Sequence, residues 1–355
     1  MKVSILEEFT RFGGGQTVFE HIYHSLNDTG YKVGVITDSS HQYLPDYIPS
    51  DSVVSTSLAG QNWSNPTLVL PSIIRLRKEL RSIVPDGLTV NNHPNVFIYN
   101  ATVNFAHEIF GFMAHQPGHM DKAALLLLRG TGLFRAYRGG YFIVQGNFTK
   151  RQTIATLASL GVSNIRIDTM DLPVDFPASV ELETKDKSVL TFGRISPDKE
   201  LKKVIQVARI LQDTRFTIAG RMLSSDKHFY DYLTHIAPEN VSFLPNPDSR
   251  TKEMLYRKSK VYFHTKKNEN YGISVAEAIS YGCYPVVPLE GGAYEDVLKN
   301  GEYGLGYANL EEASQQLTHA INIEKNELER IYNSRNRFSQ VRFREAFTSK
   351  LKEFW

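Results

Sequence analysis

Short apolar runs alternate along this chain with segments in which apolar positions return every three or four residues, a pattern that predicts strands and helices in turn. Lys2 to Leu6 reads as a buried strand, and a glycine-rich break follows at Gly13-Gly14-Gly15. Val18, Ile22, Tyr23 and Leu26 then recur at helical spacing before a second strand, Tyr31 to Thr37. Strand, crossover helix and strand make a right-handed βαβ unit, the seed of a parallel sheet. Asn95 to Tyr99, Phe110 to Ala114 and Tyr141 to Val144 read as further strands, with helices over Met120 to Tyr137 and from about Gln152 to Leu160, the latter capped by Gly161, and the stretch Ile165 to Met170 closes this first unit.

Pro173, Pro177 and the polar run Glu181 to Lys187 interrupt this grammar, which restarts at Val189-Leu190-Thr191-Phe192. The expected organisation is therefore an N-terminal Rossmann-like domain over 1–172, a linker over 173–187, a second Rossmann-like domain over 188–335 and a C-terminal helix over 336–355. In the second domain strands are expected at 189–192, 215–219, 241–244, 260–264 and 284–287, with helices at 200–212, 227–235, 251–258 and 273–281. The fold class is α/β, with two doubly wound domains facing a cleft and ligands expected at the carboxyl ends of the strands.

Composition narrows the partners rather than the fold. The chain has 355 residues, 41% hydrophobic and 22% charged, which suits a globular protein and excludes disorder or collagen. Its 40 basic and 38 acidic side chains give a net charge of +2, too balanced for an electrostatic grip on nucleic acid. The single cysteine, Cys283, can form no internal disulfide and sits in an apolar setting, which suits a buried small residue better than a nucleophile and points to a reducing, cytoplasmic compartment. The acidic start Glu7-Glu8 leaves no room for a signal-peptide core, and the longest apolar run, Ala123 to Leu128, is far short of a membrane span. Arg75-Leu76-Arg77-Lys78-Glu79-Leu80-Arg81 could present a basic amphipathic face for peripheral membrane contact, but a solvated helix surface is the favoured reading of this run.

The chemistry concentrates in the second half. Glu269-Asn270-Tyr271-Gly272-Ile273-Ser274-Val275-Ala276-Glu277 places two carboxylates eight residues apart, one before a helix and one on it. The helix start points the free amides of Gly272, Ile273, Ser274 and Val275 at a cleft, a site for phosphate. Glu277, one turn in, can accept hydrogen bonds from vicinal hydroxyls such as those of a ribose, and Glu269 can do the same for a second polyol. Upstream, Gly193-Arg194-Ile195-Ser196-Pro197-Asp198-Lys199 carries two cations five residues apart, a pair suited to a diphosphate. In the first domain Gly14 and Gly15 would let backbone amides approach an anion, and His115 ends an apolar strand at a cleft-facing position. A metal site among His93, His107, His115 and His119 is not expected, because Pro117 and Gly118 break the helix that His-x3-His spacing needs.

These motifs, in this order, resemble the retaining glycosyltransferases of family 4, which have the GT-B fold. The resemblance is strong over about residues 189–300, where Gly193-Arg194 through Lys199, Ala219-Gly220, Glu269 to Glu277, Ala278-Ile279-Ser280-Tyr281-Gly282 and Gly291-Gly292 all fall in family order. It is thinner in the first half, resting on Gly13 to Gly15, His115 before Pro117, Asn147-Phe148-Thr149-Lys150 and Pro173-Val174-Asp175. It implies that Arg194 and Lys199 hold the nucleotide diphosphate, that Glu277 binds the ribose hydroxyls, and that Glu269 and the amides after it hold the transferred sugar. His115 would lie against that sugar, and Gly14 and Gly15 would approach the phosphate or the acceptor. The implied reaction moves a hexose from a UDP- or GDP-linked sugar to a hydroxyl of a glycan, lipid-linked or protein-linked sugar, with retention, no protein nucleophile, no cofactor and no divalent metal. A catalytically silent nucleotide-sugar-binding subunit and a GT-B nucleotide-sugar epimerase are the alternatives. The glycine stretch departs from the family in continuing as Gln16-Thr17 without an acidic residue, and the loops from Ser39 to Asn65, which would shape the acceptor site, match no family pattern.

Overall fold

Strands buried on both faces are what parallel sheets covered by helices require, and this computed structural model contains two such sheets. It describes residues 2–9, 14–38, 41, 43–56, 71, 74, 78, 87–92, 107–111, 137 and 139–354. His115, the expected strand Asn95 to Tyr99 and, apart from Lys78, the basic stretch Arg75 to Arg81 lie outside the described residues.

One compact unit comprises residues 1–145 and 149–170 together with Phe343 onward. Its sheet is parallel, in the order β3-β2-β1-β4-β5-β6-β7, built from β1 (Lys2–Leu6), β2 (Lys32–Asp38), β3 (Val53–Thr56), β4 (Leu88–Asn91), β5 (His107–Phe110), β6 (Tyr141–Val144) and β7 (Arg166–Thr169). Every residue of β4 and β6 is buried, whereas edge strand β3 buries only Thr56. Helix Gly14–Asp28 crosses from β1 to β2 and buries Val18, Phe19, Ile22 and Leu26, so Gly14 and Gly15 open a helix rather than a separate loop.

The second unit comprises Gly146–Phe148 and Asp171–Arg342. Its sheet is also parallel, in the order β10-β9-β8-β11-β12-β13, from β8 (Asp186–Phe192), β9 (Arg215–Gly220), β10 (Val241–Pro245), β11 (Ser259–Phe263), β12 (Tyr284–Pro288) and β13 (Leu305–Tyr307). In both sheets the strand order reverses beside the first strand, between β1 and β4 and between β8 and β11. Ligands of doubly wound sheets bind at the carboxyl ends of such a pair. Two parallel-sheet, Rossmann-like α/β domains are therefore present.

Three local differences from the sequence reading have physical causes. The segment read as a linker over 173–187 lies within the second unit. Leu172, Val174 and Leu182 are buried, the Val174 N–H donates to Phe338 O at 3.0 Å, and Lys185 Nζ caps the carbonyls of Tyr256, Arg257 and Ser259 at 2.9, 3.1 and 2.9 Å. A lysine used inside the fold looks, in composition, like a polar linker residue. The C-terminal helix, Gln340–Phe354, carries most of its length into the first unit. Phe343 and Phe347 are buried there, and Lys350 Nζ reaches Asp168 at 3.0 Å. Finally, the helix expected over 200–212 runs Lys202–Ile210; it starts late because Glu200 adopts φ +54° at the end of a short turn, Pro197–Lys199.

Cys283 is free and fully buried; its Sγ donates to Tyr256 O at 3.1 Å and to Ser259 O at 3.2 Å. Among the described residues no helix is long and apolar enough to cross a membrane.

Candidate active site

The carboxyl ends of β8 and β11 are tied side by side. Thr191 Oγ1 donates to Phe263 O at 2.8 Å, and Tyr262 OH donates to Phe192 O at 2.7 Å. The chain leaves β8 into Gly193-Arg194 and leaves β11 into His264-Thr265-Lys266, so the two loops meet at the point of strand reversal. Thr265 Oγ1 donates to Lys199 O at 2.6 Å and fixes one loop to the other.

Arg194, Lys199 and Glu269, singled out from sequence, belong to one ion-pair network. Lys199 Nζ donates to Glu269 Oε2 at 2.6 Å, with both side chains at least three-quarters buried. Lys266 Nζ stands 3.7 Å from Glu269 Oε1 and 3.9 Å from Asp198 Oδ2. Arg194 donates from Nε to Ser196 Oγ at 3.0 Å and from Nη2 to Asp198 Oδ1 at 2.8 Å, so in the free protein its guanidinium is held rather than idle. Burial pushes the Glu269 carboxyl up, but Lys199, His264 and Lys266 around it outweigh that and hold it at about 2. Glu269 is ionised at neutral pH.

Glycines bring the next layer of backbone close. Gly292 N–H donates to Glu269 O at 2.7 Å, and a Cβ on Gly292 would stand 2.1 Å from Asn270 O, so only glycine lets the loop after β12 lie on the Glu269 loop. Gly272 turns the chain at φ +97° into helix Ile273–Ser280. The first amides of a helix lack intrahelical partners, with one correction to the sequence reading. The Val275 N–H, counted there among the free donors, bonds Gly272 O at 2.9 Å, leaving Gly272, Ile273 and Ser274 as the candidate anion-facing amides.

Glu277 sits one turn into that helix. Its carboxylate accepts from Lys252 Nζ at 2.6 Å and from Tyr256 OH at 3.0 Å, both on helix Ser249–Lys258. Gly14 and Gly15 lie in the first unit, at the start of its first helix. Lys252, Tyr256, Lys266 and His264 were not identified from sequence. The one available signal was position: His264 and Lys266 directly follow a strand at its ligand-binding end.

Residues 175–340 match the family Glycosyl transferases group 1. A Dictyostelium discoideum protein named GDP-Man:Man(3)GlcNAc(2)-PP-Dol alpha-1,2-mannosyltransferase is 21% identical over 206 residues, 51% of this chain and 41% of that protein, so the match spans about two fifths of its length. Solved structures match over nearly the whole chain, HepE, sucrose-phosphate synthase and WaaG among them. The Anabaena protein HepE, solved with UDP and glucose, has a TM-score of 0.72 at 16% identity, covering 99% of this chain and 100% of HepE. Sucrose-phosphate synthase from Thermosynechococcus elongatus has a TM-score of 0.72 at 12% identity, covering 99% and 98%. WaaG, a glycosyltransferase involved in lipopolysaccharide biosynthesis, has a TM-score of 0.68 at 15% identity, covering 98% of each chain. At these identities the structural likeness establishes the fold, and the chain carries a glycosyltransferase group 1 domain over residues 175–340.

Proposed function

We propose that this chain is a retaining, metal-independent glycosyltransferase of family 4 that moves a hexose from a UDP- or GDP-linked sugar to an acceptor hydroxyl of a glycan, lipid-linked or protein-linked sugar. The observation that carries the reading is the cluster of Arg194, Lys199 and Lys266 around Asp198 and Glu269 at the β8/β11 strand reversal, beside the start of helix Ile273–Ser280. Negative charge builds on the diphosphate as the bond to the anomeric carbon breaks. Preorganised cations and helix amides stabilise that charge without reorganising at the moment of reaction.

In this reading the diphosphate draws Lys199 from Glu269 and Arg194 from Asp198. Glu269, ionised and freed from its closest cation, accepts hydrogen bonds from the hydroxyls of the transferred sugar. Glu277, already oriented by Lys252 and Tyr256, accepts from the ribose hydroxyls. The acceptor attacks the face that the leaving diphosphate occupies, and its proton passes to the departing phosphate oxygen. His115 would lie against the sugar, and Gly14 and Gly15 against the phosphate or acceptor. The names of relatives support a nucleotide-sugar donor: HepE has been solved with UDP-glucose, and the Dictyostelium relative is named for GDP-mannose.

A calorimetric screen of UDP, GDP and ADP and of their glucose and mannose conjugates, with a metal chelator present, tests the reading. One diphosphate is expected to bind, with Glu277→Ala weakening it and Arg194→Ala suppressing transfer. Wild-type behaviour of both variants would remove the site assignment.

A further inference from the structure

His264 occupies a position that packing alone does not explain. It is the first residue after β11, and its backbone is fixed on both sides: the N–H donates to Val286 O at 2.9 Å, and the carbonyl accepts from the buried Tyr307 OH at 2.9 Å. The side chain is 7% exposed, and Nε2 has no hydrogen-bond partner among the described residues. A buried polar atom left unmatched costs about 1–3 kcal/mol, and an apolar side chain would fill the same space without that loss. Burial lowers the imidazole to about 4, so at neutral pH it is an uncharged ring able to exchange hydrogen bonds with a hydroxyl.

The orphan atom faces the proposed site. Nε2 stands 3.9 Å from Glu269 Oε2, the same oxygen that accepts from Lys199. That gap is too long for the two to bond each other. It is short enough for one hydroxyl to reach both, donating to the carboxylate and pairing with the ring nitrogen.

We propose that His264 is a specificity-determining residue for the transferred sugar, its Nε2 hydrogen-bonding a hexose hydroxyl that Glu269 also holds. This rests on the donor reading above and assigns the sugar end of the donor, not its nucleotide, to the loop after β11. His264 therefore discriminates among sugars and is indifferent to the free nucleoside diphosphate.

The test separates the two claims. Calorimetry on the full chain compares the diphosphate that the wild type binds with its glucose and mannose conjugates, for wild type, His264→Phe and His264→Gln. The expected result is a free-diphosphate Kd within twofold of wild type in both variants. The better-bound sugar conjugate is weakened tenfold or more by phenylalanine and less by glutamine, which keeps a polar group. Among monodeoxy analogues of that sugar, one should lose affinity in the wild type and show no further loss in His264→Phe. Unchanged sugar-conjugate affinity in His264→Phe would overturn the proposal, as would equal weakening of the diphosphate and its conjugate, which marks a structural role. If His264→Phe does not fold, His264→Gln with the deoxy series decides alone. A wild type that binds no diphosphate and no conjugate would overturn the donor reading first, before any variant is compared, and this assignment with it.

Discussion

The two sheets carry contrasting carboxylates at their points of strand reversal. In the first unit Glu7 follows β1 directly, is 3% exposed, and accepts from Asn92 Nδ2 and from the Glu8 N–H. Burial is the largest influence on it and holds its carboxyl well above the usual range. In the second unit Glu269, after β11, is largely but not fully buried, at 17% exposed, yet Lys199, His264 and Lys266 hold it at about 2. Burial is common to both, and neighbouring charge sets the sign of the outcome. One reversal point is closed by an amide–carboxyl pair from its own strands. The other gathers cations whose counter-charges a diphosphate could replace.

The largest expected effect tests the cationic half of this contrast. Lys199→Met should lower kcat of transfer by roughly 100-fold to 1,000-fold while leaving the first unit's fold intact, as steady-state kinetics and circular dichroism would report. Near-wild-type turnover would mean that Lys199 neutralises Glu269 and does no more.

Replacing each acid by its amide should separate the two next. Glu269→Gln leaves Lys199 and Lys266 facing a neutral group and should cost roughly 2 kcal/mol or more of stability. Glu7→Gln mimics a protonated acid and should cost only about 1 kcal/mol, for the acceptor it loses to the Glu8 N–H. Urea denaturation of both variants checks the ranking, and equal losses would break the comparison.

The two reversal points should also respond oppositely to pH. Glu7 has a raised folded value, so its contribution is complete below its ordinary 4.5 and is lost as pH rises through the folded value. Glu269 is depressed, so its contribution is present above 4.5 and is lost as pH falls toward about 2. His264, at about 4, adds to the second effect: the unfolded chain takes up its proton near 6.5 and the folded chain does not, so acidification between those values removes stability. Stability differences between wild type and each of Glu7→Gln and Glu269→Gln, followed from pH 7 to pH 4, should change in opposite directions.

The smallest expected effect concerns Glu277. Lys252→Met removes one of its two donors and should weaken diphosphate binding threefold to tenfold, about 1 kcal/mol. That is less than Glu277→Ala, and calorimetry would show the order.

Strands with four or more apolar residues in a row, such as β6 and β12, and helices with regular apolar spacing were legible because burial on defined faces imposes their pattern. β3, β4 and β13, of 4, 4 and 3 residues, were missed because polar residues or glycine interrupt their short runs, whereas the equally short β6 is apolar throughout. At the site, Arg194, Lys199 and Glu269 could be singled out because each lies in a motif read along the chain.

What the sequence determined by itself was the alternation of elements, hence two doubly wound α/β domains, and the residue types placed after particular strands. Tertiary structure alone decided which charges meet: Lys199 with Glu269 across 70 residues, Lys252 with Glu277 across 25, and His264 aimed at Glu269 with its ring nitrogen unmatched. The division follows from the range of the forces involved. Hydrophobic periodicity is local and repeats along the chain, whereas ionisation and hydrogen bonding depend on a few ångströms of separation between segments that only the folded sheet brings together.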